Sequence, residues 1–217
     1  MTMTGEEFAK VGLPKLSPDV SRETLARLQA YAETLKKWQA KINLVSATTL
    51  PELWQRHFLD SAQLYPLLPP HARVVTDLGS GAGFPGLVLA IVAEAAGRDI
   101  QWHLVESDGR KAAFLAEAAR ASRIAGAIKI HAVRAEGLGG RMGADVITAR
   151  ALAPLEKLLE YAYPLVKPDG LCLFLKGERV EDELTVARQR WRFELERHPS
   201  KSDPGGAILA IKGLRPK

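Results

Sequence analysis

A run of β-prone residues at 74–78 leads directly into Gly79, Gly81 and Gly83, and Pro85 with an apolar helical stretch follows at once. Few folds accommodate that order. A strand that turns into a helix within a few residues sends the chain back across one face of a sheet, and the next strand must then lie parallel. The same alternation recurs downstream. Residues 101–105, 127–133, 145–149 and 171–176 read as strands, while 85–96, 110–121, 154–166 and 178–189 read as helices. The chain closes differently. Two strand-like runs, 191–196 and 207–212, are joined by HPSKSDPGG with no helix between them, which predicts an antiparallel hairpin at one edge. The expected fold is therefore α/β: a doubly wound, Rossmann-like sheet of seven strands, mostly parallel, with a C-terminal antiparallel hairpin.

Upstream of residue 73 the texture is helical. Ser21 is placed to cap a helix over 22–41, in which Leu25, Leu28, Leu35 and Trp38 form one apolar stripe. A second helix is expected from Thr49, which forms a capping-box pattern with Glu52 and has Pro51 in its first turn; Pro69-Pro70 ends it. Residues 1–20 show no period. The predicted organisation is a two-helix extension over 1–72 and an α/β domain over 73–217.

Composition excludes several classes. The 217 residues are 47% apolar and include one cysteine, Cys172, which rules out a disulfide scaffold. The longest apolar stretch, 84–93, falls short of the roughly 20 residues a membrane helix needs. MTMTGEEFAK lacks the apolar core of an export signal, so a soluble cytoplasmic protein is expected, with no membrane partner. The formal charge of +5 suits a polyanionic partner, and the excess leans to the end of the chain, with 10 basic against 7 acidic side chains from residue 176 on.

The glycine loop asks for a ligand that touches backbone, because glycine permits positive φ and removes the Cβ that would block approach. Gly81, Gly83 and Gly86 fit the dinucleotide spacing G-x-G-x-x-G. Asp77 argues for a different guest. A carboxylate at the end of the strand would repel a pyrophosphate and attract a cation. S-adenosylmethionine carries an ammonium and a sulfonium, and Asp77-Leu-Gly79-Ser-Gly81-Ala-Gly83 matches the Asp/Glu-x-Gly-x-Gly-x-Gly pattern of methyltransferases that use it. Phe84 stands at the helix mouth to pack on an apolar part of the ligand. Glu106, which ends the second strand 23 residues past Gly83, is placed to accept both ribose hydroxyls. Ala135 and Glu136, after the third strand, stand where backbone meets the adenine. These residues alone leave an NAD(P)-dependent oxidoreductase and a non-catalytic, cofactor-sensing RNA-binding protein open.

Larger blocks narrow the choice. KINLVSATT (41–49), RHFLDS (56–61), VVTDLGSGAGFPGLVLAI (74–91), VESDGRKAAFL (105–115), RAE (134–136), ITARALAPL (147–155) and FLKG (174–177) together resemble the ribosomal RNA small subunit methyltransferase G family, also called glucose-inhibited division protein B. The resemblance implies a class I methyltransferase sheet and S-adenosyl-L-methionine as cofactor. It implies methyl transfer to N7 of a guanine in the decoding-region loop of 16S rRNA, either free or within a small-subunit ribonucleoprotein particle. It also implies cofactor contacts at Gly79, Phe84, Ala135, Glu136 and Arg150. A monomer without a metal is expected.

Guanine N7 has an in-plane lone pair, so it attacks the methyl without first losing a proton, and alignment suffices. The sequence is consistent with that, having Thr148-Ala149-Arg150-Ala151 after the fourth strand and no Asn/Asp-Pro-Pro-Tyr run. Arg150 is expected to fix the cofactor carboxylate or the incoming guanine. Lys176, at the end of the fifth strand, is a candidate contact for an RNA phosphate. Cys172 reads as a core thiol. Phe84 or Trp54 can wall a flipped base. Lys36, Lys37, Lys41 and Arg56 are candidates for a basic face on the N-terminal helices. His57 and Asp60 lie in the second helix without an assigned role.

Overall fold

The computed structural model describes residues 3–8, 21–138 and 142–217. Its sheet runs β1 (Val74–Leu78), β2 (Gln101–Val105), β3 (Ile128–His131), β4 (Ala144–Arg150), β5 (Val166–Lys176), β6 (Trp191–Pro199) and β7 (Ala207–Pro216) in chain order. In space the order is β3-β2-β1-β4-β5-β7-β6. The first five strands pair in parallel; β7 is antiparallel to β5, and β6 to β7. The expected architecture stands, including the edge hairpin. The direction of winding reverses between β1 and β4, and the carboxyl ends of those strands form the crevice where such sheets bind ligands.

Five helices flank the sheet among the described residues: α1 (Arg22–Gln39), α2 (Gly86–Ala95), α3 (Gly109–Ala121), α4 (Leu155–Ala162) and α5 (Val180–Arg190). Strand side chains alternate between two cores, as a period of two requires. Leu171, Leu173 and Leu175 join α1, α2 and α3 on one face; Cys172 and Phe174 join α4 and α5 on the other. Cys172 is thus a core thiol, and burial pushes its pKa up to about 12.

Helix α1 lies in the larger core with Leu28, Tyr31 and Leu35 fully buried. Ser21 caps it as expected, accepting from the Thr24 amide. Arg27 ties it to α2 through Glu94, and the Tyr31 hydroxyl donates to the Ala82 carbonyl inside the glycine loop.

The second N-terminal helix departs from expectation. Residues 50–62 form a 3-10 turn (Leu50–Glu52), a π-helical turn (Trp54–Leu59) and a short α turn (Asp60–Ala62). Thr49 makes no capping bond. Its hydroxyl donates instead to the Ser46 carbonyl and meets Nε2 of His57 at 2.9 Å. A tertiary contact has taken the group that a capping box would use.

Candidate active site

The loop after β1 is built around backbone that side chains tolerate poorly. Gly79, Gly81 and Gly83 have φ of 64°, 54° and 89°. A Cβ on Gly79 would lie 2.5 Å from a methyl of Leu152, and one on Gly83 would strike Leu87 and the Tyr31 hydroxyl. At Gly81 the nearest atom would be the Gly79 carbonyl at 3.7 Å, so that Cβ would project into open space. The Ser80 amide donates to the Val105 carbonyl, fastening the loop to β2.

Asp77 lies beneath this loop, not on its surface. The residue is fully buried, its Oδ1 accepting from the Thr148 hydroxyl at 2.7 Å. Oδ2 has no hydrogen-bond partner and faces the start of α2, where a Cβ on Gly86 would come within 2.8 Å of it. Burial raises the Asp77 pKa to about 6, with the Thr148 bond opposing. The electrostatic reading of Asp77 as a group facing a cationic guest is therefore revised: the backbone of the loop separates the carboxylate from the hollow.

That hollow has a volume of about 400 Å³. Gly79, Gly81, Phe84, Glu106, Ala135 and Arg150 are among its walls, so most of the residues singled out in the sequence come together here. Glu106 is pinned by two amides, with Oε2 accepting from Gly81 at 2.9 Å and Oε1 from Asp108 at 2.8 Å. Each oxygen keeps a further lone pair. Glu136 also lines the hollow, and its carboxylate accepts from the Tyr161 hydroxyl at 2.8 Å. Open space at Gly81, a fixed carboxylate and an exposed backbone turn at 135–136 fit a nucleoside with a short charged tail.

Arg150 ends β4 on the ridge between this hollow and a second one of about 790 Å³, and it lines both. Its guanidinium donates to the Arg56 carbonyl at 3.1 Å, to Asp60 at 3.3 Å and to Nδ1 of His57 at 2.8 Å. It also lies over the Phe84 ring, 4.9 Å from the centroid. RHFLDS thus acquires its meaning: the π-helical turn and the α turn that follows it present a carbonyl, an imidazole and a carboxylate to one arginine. His57 stacks on Phe84 with centroids 5.1 Å apart. Burial first, then the charges of Arg150 and Arg56, lower its pKa to about 3. An arginine can only donate, so Nδ1 accepts and the ring carries its proton on Nε2, directed at Thr49. Beyond the ridge, Ala151 has φ of 53°, an uncommon backbone state for a residue with a Cβ.

Two expectations change here. Lys176 borders the larger hollow, but its ammonium is held by Glu183 at 2.6 Å and the Ala153 carbonyl at 3.0 Å, with the side chain 8% exposed. A buried, paired ammonium is not presented to an RNA phosphate. Trp54 packs on Phe58 and Phe8 and lines neither hollow, whereas Phe84 lines the smaller one. Arg56 lines the larger hollow and pairs with Asp203, while Lys36, Lys37 and Lys41 are exposed, Lys36 beside Glu33.

Two further residues that shape the site, Gln39 and Gln63, belong to no motif in the sequence. Gln39 accepts from the amides of Leu44 and Val45 and donates to the Val45 carbonyl, which fixes Leu44 against both hollows. Gln63 accepts from the Lys201 amide and so anchors the turn between β6 and β7. Gln39 is a polar amide four residues past Leu35 on the α1 stripe, which is the available clue; Gln63 lies off the stripe of its segment and carries none.

A family described as rRNA small subunit methyltransferase G matches residues 24–202. The ribosomal RNA small subunit methyltransferase G of Parvibaculum lavamentivorans is 54% identical over 199 residues, covering 90% of this chain and 86% of that one. Its counterpart from Rhodospirillum rubrum is 53% identical over 209 residues, covering 96% and 97%. Among solved structures, one of a putative O-methyltransferase from Klebsiella pneumoniae superposes with a TM-score of 0.60 at 15% identity, covering 96% of this chain and 98% of that one.

Proposed function

Because the chain belongs to the rRNA small subunit methyltransferase G family, we propose that it methylates N7 of a guanine in the decoding-region (530) loop of 16S rRNA, with S-adenosylmethionine as the methyl donor. It acts as a cytoplasmic monomer on rRNA or on a small-subunit particle. Family membership displaces the oxidoreductase and the non-catalytic readings.

The observation that carries the finer assignment is the state of His57. It is the imidazole that lines the larger hollow beside Arg150, and both of its nitrogens are committed, Nδ1 to Arg150 and Nε2 to Thr49. No lone pair is left on it to remove a proton. Such a site suits a nucleophile that needs no base, which guanine N7 is and an exocyclic amine is not. The cofactor supplies an electrophilic methyl on sulfur. In this reading Glu106 takes the ribose hydroxyls, the backbone at Ala135 and Glu136 meets the adenine, and Gly79 and Gly81 let the tail approach the loop. Phe84 excludes water at the ridge. Arg150 orients the guanine by its O6 and N7 edge or the cofactor carboxylate from the ridge.

The test is to map N7-methylguanosine in 16S rRNA from cells lacking this protein and to restore it with the wild-type chain. Loss of the mark and its return support the proposal. A mark that persists, or methylation at another atom, overturns it.

A further inference from the structure

The loop between β6 and β7 borders the larger hollow through Ser200, Ser202 and Asp203. It lies about 140 residues from RHFLDS in sequence, yet one carboxylate of that motif binds it. Asp60 Oδ1 accepts from the Ser202 hydroxyl, from Ser200 at 3.4 Å and from Gln63 Nε2 at 2.9 Å. Its other oxygen, Oδ2, faces Arg150 at 3.3 Å. The carboxylate is largely shielded, with 14% of the side chain exposed. Arg56 reinforces the same link, giving its carbonyl to Arg150 and donating to the Ser202 carbonyl at 3.5 Å.

A carboxylate whose two oxygens serve different partners transmits displacement of one to the other, because rotating to follow the loop withdraws Oδ2 from the guanidinium. We propose that Asp60 is a positioning residue that couples the β6–β7 loop to Arg150, so that the outer wall of the substrate hollow and the aim of the ridge arginine are set together. The inference rests on the proposed function for the role of Arg150, and takes the larger hollow, which Arg150 also lines, as the place of the substrate base. A substrate that displaces the loop would then disturb Arg150, and one that seats against it would hold Arg150 in line.

Lys201 provides a readout that does not depend on activity, since trypsin cleaves after it when the loop is released. Cleavage at that bond should be about tenfold faster in Ser202→Ala and in Asp60→Ala than in wild type. Asp60→Asn retains an acceptor for the serines but sets an amide against Arg150. It should keep the loop protected while methyl transfer to small-subunit particles falls about tenfold in kcat. Ser202→Ala should raise KM and lower kcat, and these effects should vanish in an Asp60→Ala background. Arg150→Ala should speed cleavage after Lys201 only when Asp60 is present. Far-ultraviolet circular dichroism and a cooperative thermal melt certify that the Asp60 and Ser202 variants are folded. Additive effects in the double variants would overturn the coupling, as would Ser202→Ala that frees the loop yet leaves both kinetic constants unchanged. If the wild-type chain methylates no rRNA, the functional reading fails, while the cleavage cycle between Arg150 and Asp60 still decides the coupling.

Discussion

Arg150 donates from Nη2 to Nδ1 of His57 at 2.8 Å, and the imidazole is thereby fixed as a neutral acceptor at the edge of the site. Its other nitrogen faces Thr49 at 2.9 Å, whose hydroxyl turns its own proton to the Ser46 carbonyl. The chain of donors runs from Arg150 outward and ends on backbone. A histidine in that chain orients its neighbours and does not exchange protons during turnover.

The first prediction follows from that chain. His57→Gln keeps one acceptor and one donor but no basic nitrogen. The pH profile of kcat should keep its shape between pH 6 and 9, while its height falls through the loss of the Phe84 stack and imperfect aim of Arg150. A limb near pH 6.5 present in wild type and absent in His57→Gln would assign His57 a proton-transfer role.

Two buried groups make opposing contributions to stability against pH. His57 titrates near 3 when folded and near 6.5 when unfolded. Between those values the unfolded chain binds the extra proton, so this group makes stability rise with pH and carries no penalty above about 6.5. Asp77 titrates near 6 when folded against an ordinary 3.8. Between those values the folded chain holds the extra proton, so this group makes stability fall with pH. The two oppose each other from about pH 4 to pH 6. Asp77→Asn removes the falling contribution. Relative to wild type, its stability in urea melts should therefore climb with pH across that window, by about 1.4 kcal/mol per unit at most. Parallel curves would show that Asp77 is ionised in the free protein.

The glycine loop gives a graded series. Gly81→Ala incurs the cost of a left-handed backbone, about 1–2 kcal/mol, and places a methyl in open space on the ligand side. It should fold and bind S-adenosylhomocysteine at least tenfold more weakly. Gly79→Ala adds a collision with Leu152 at 2.5 Å and should be less stable than Gly81→Ala by a further 1–3 kcal/mol, read as the difference in urea midpoints. Equal stabilities would mean that Leu152 moves aside freely.

Much of this arrangement was legible in the sequence because it is local. Strand, glycines and helix follow one another within residues 74–95, so their order alone fixes where the crevice opens. Glu106 was readable for the same reason, as the last residue before the turn after β2. The unread part is what the tertiary fold brings together. Thr49 carries a capping-box pattern, yet its hydroxyl serves Ser46 and His57, whose position depends on a π-helical turn that leaves no periodic signature. Lys176 and Glu183 are seven residues apart across a strand-to-helix turn, and only the packing of α5 on the sheet makes them a pair. The Asp60–Ser202 contact spans most of the chain, and neither residue marks it in sequence.

That pairing of Lys176 supplies the last prediction. Lys176→Met keeps the apolar stem and removes the ammonium. Glu183 then retains one amide, from Leu155, and loses its counter-charge in a largely enclosed place. Removing one partner of a buried ion pair costs about 3–5 kcal/mol, and the 21% exposure of Glu183 places this case at or below the lower end. The variant should therefore melt early. Its affinity for rRNA, measured below the melting range, should keep the salt dependence of wild type, because no phosphate contact has been lost. Lys176→Met Glu183→Gln should recover part of the stability, since the uncompensated charge is gone. A salt slope reduced by about one in Lys176→Met would return this lysine to the RNA surface, and the buried pair would then have to open when RNA binds.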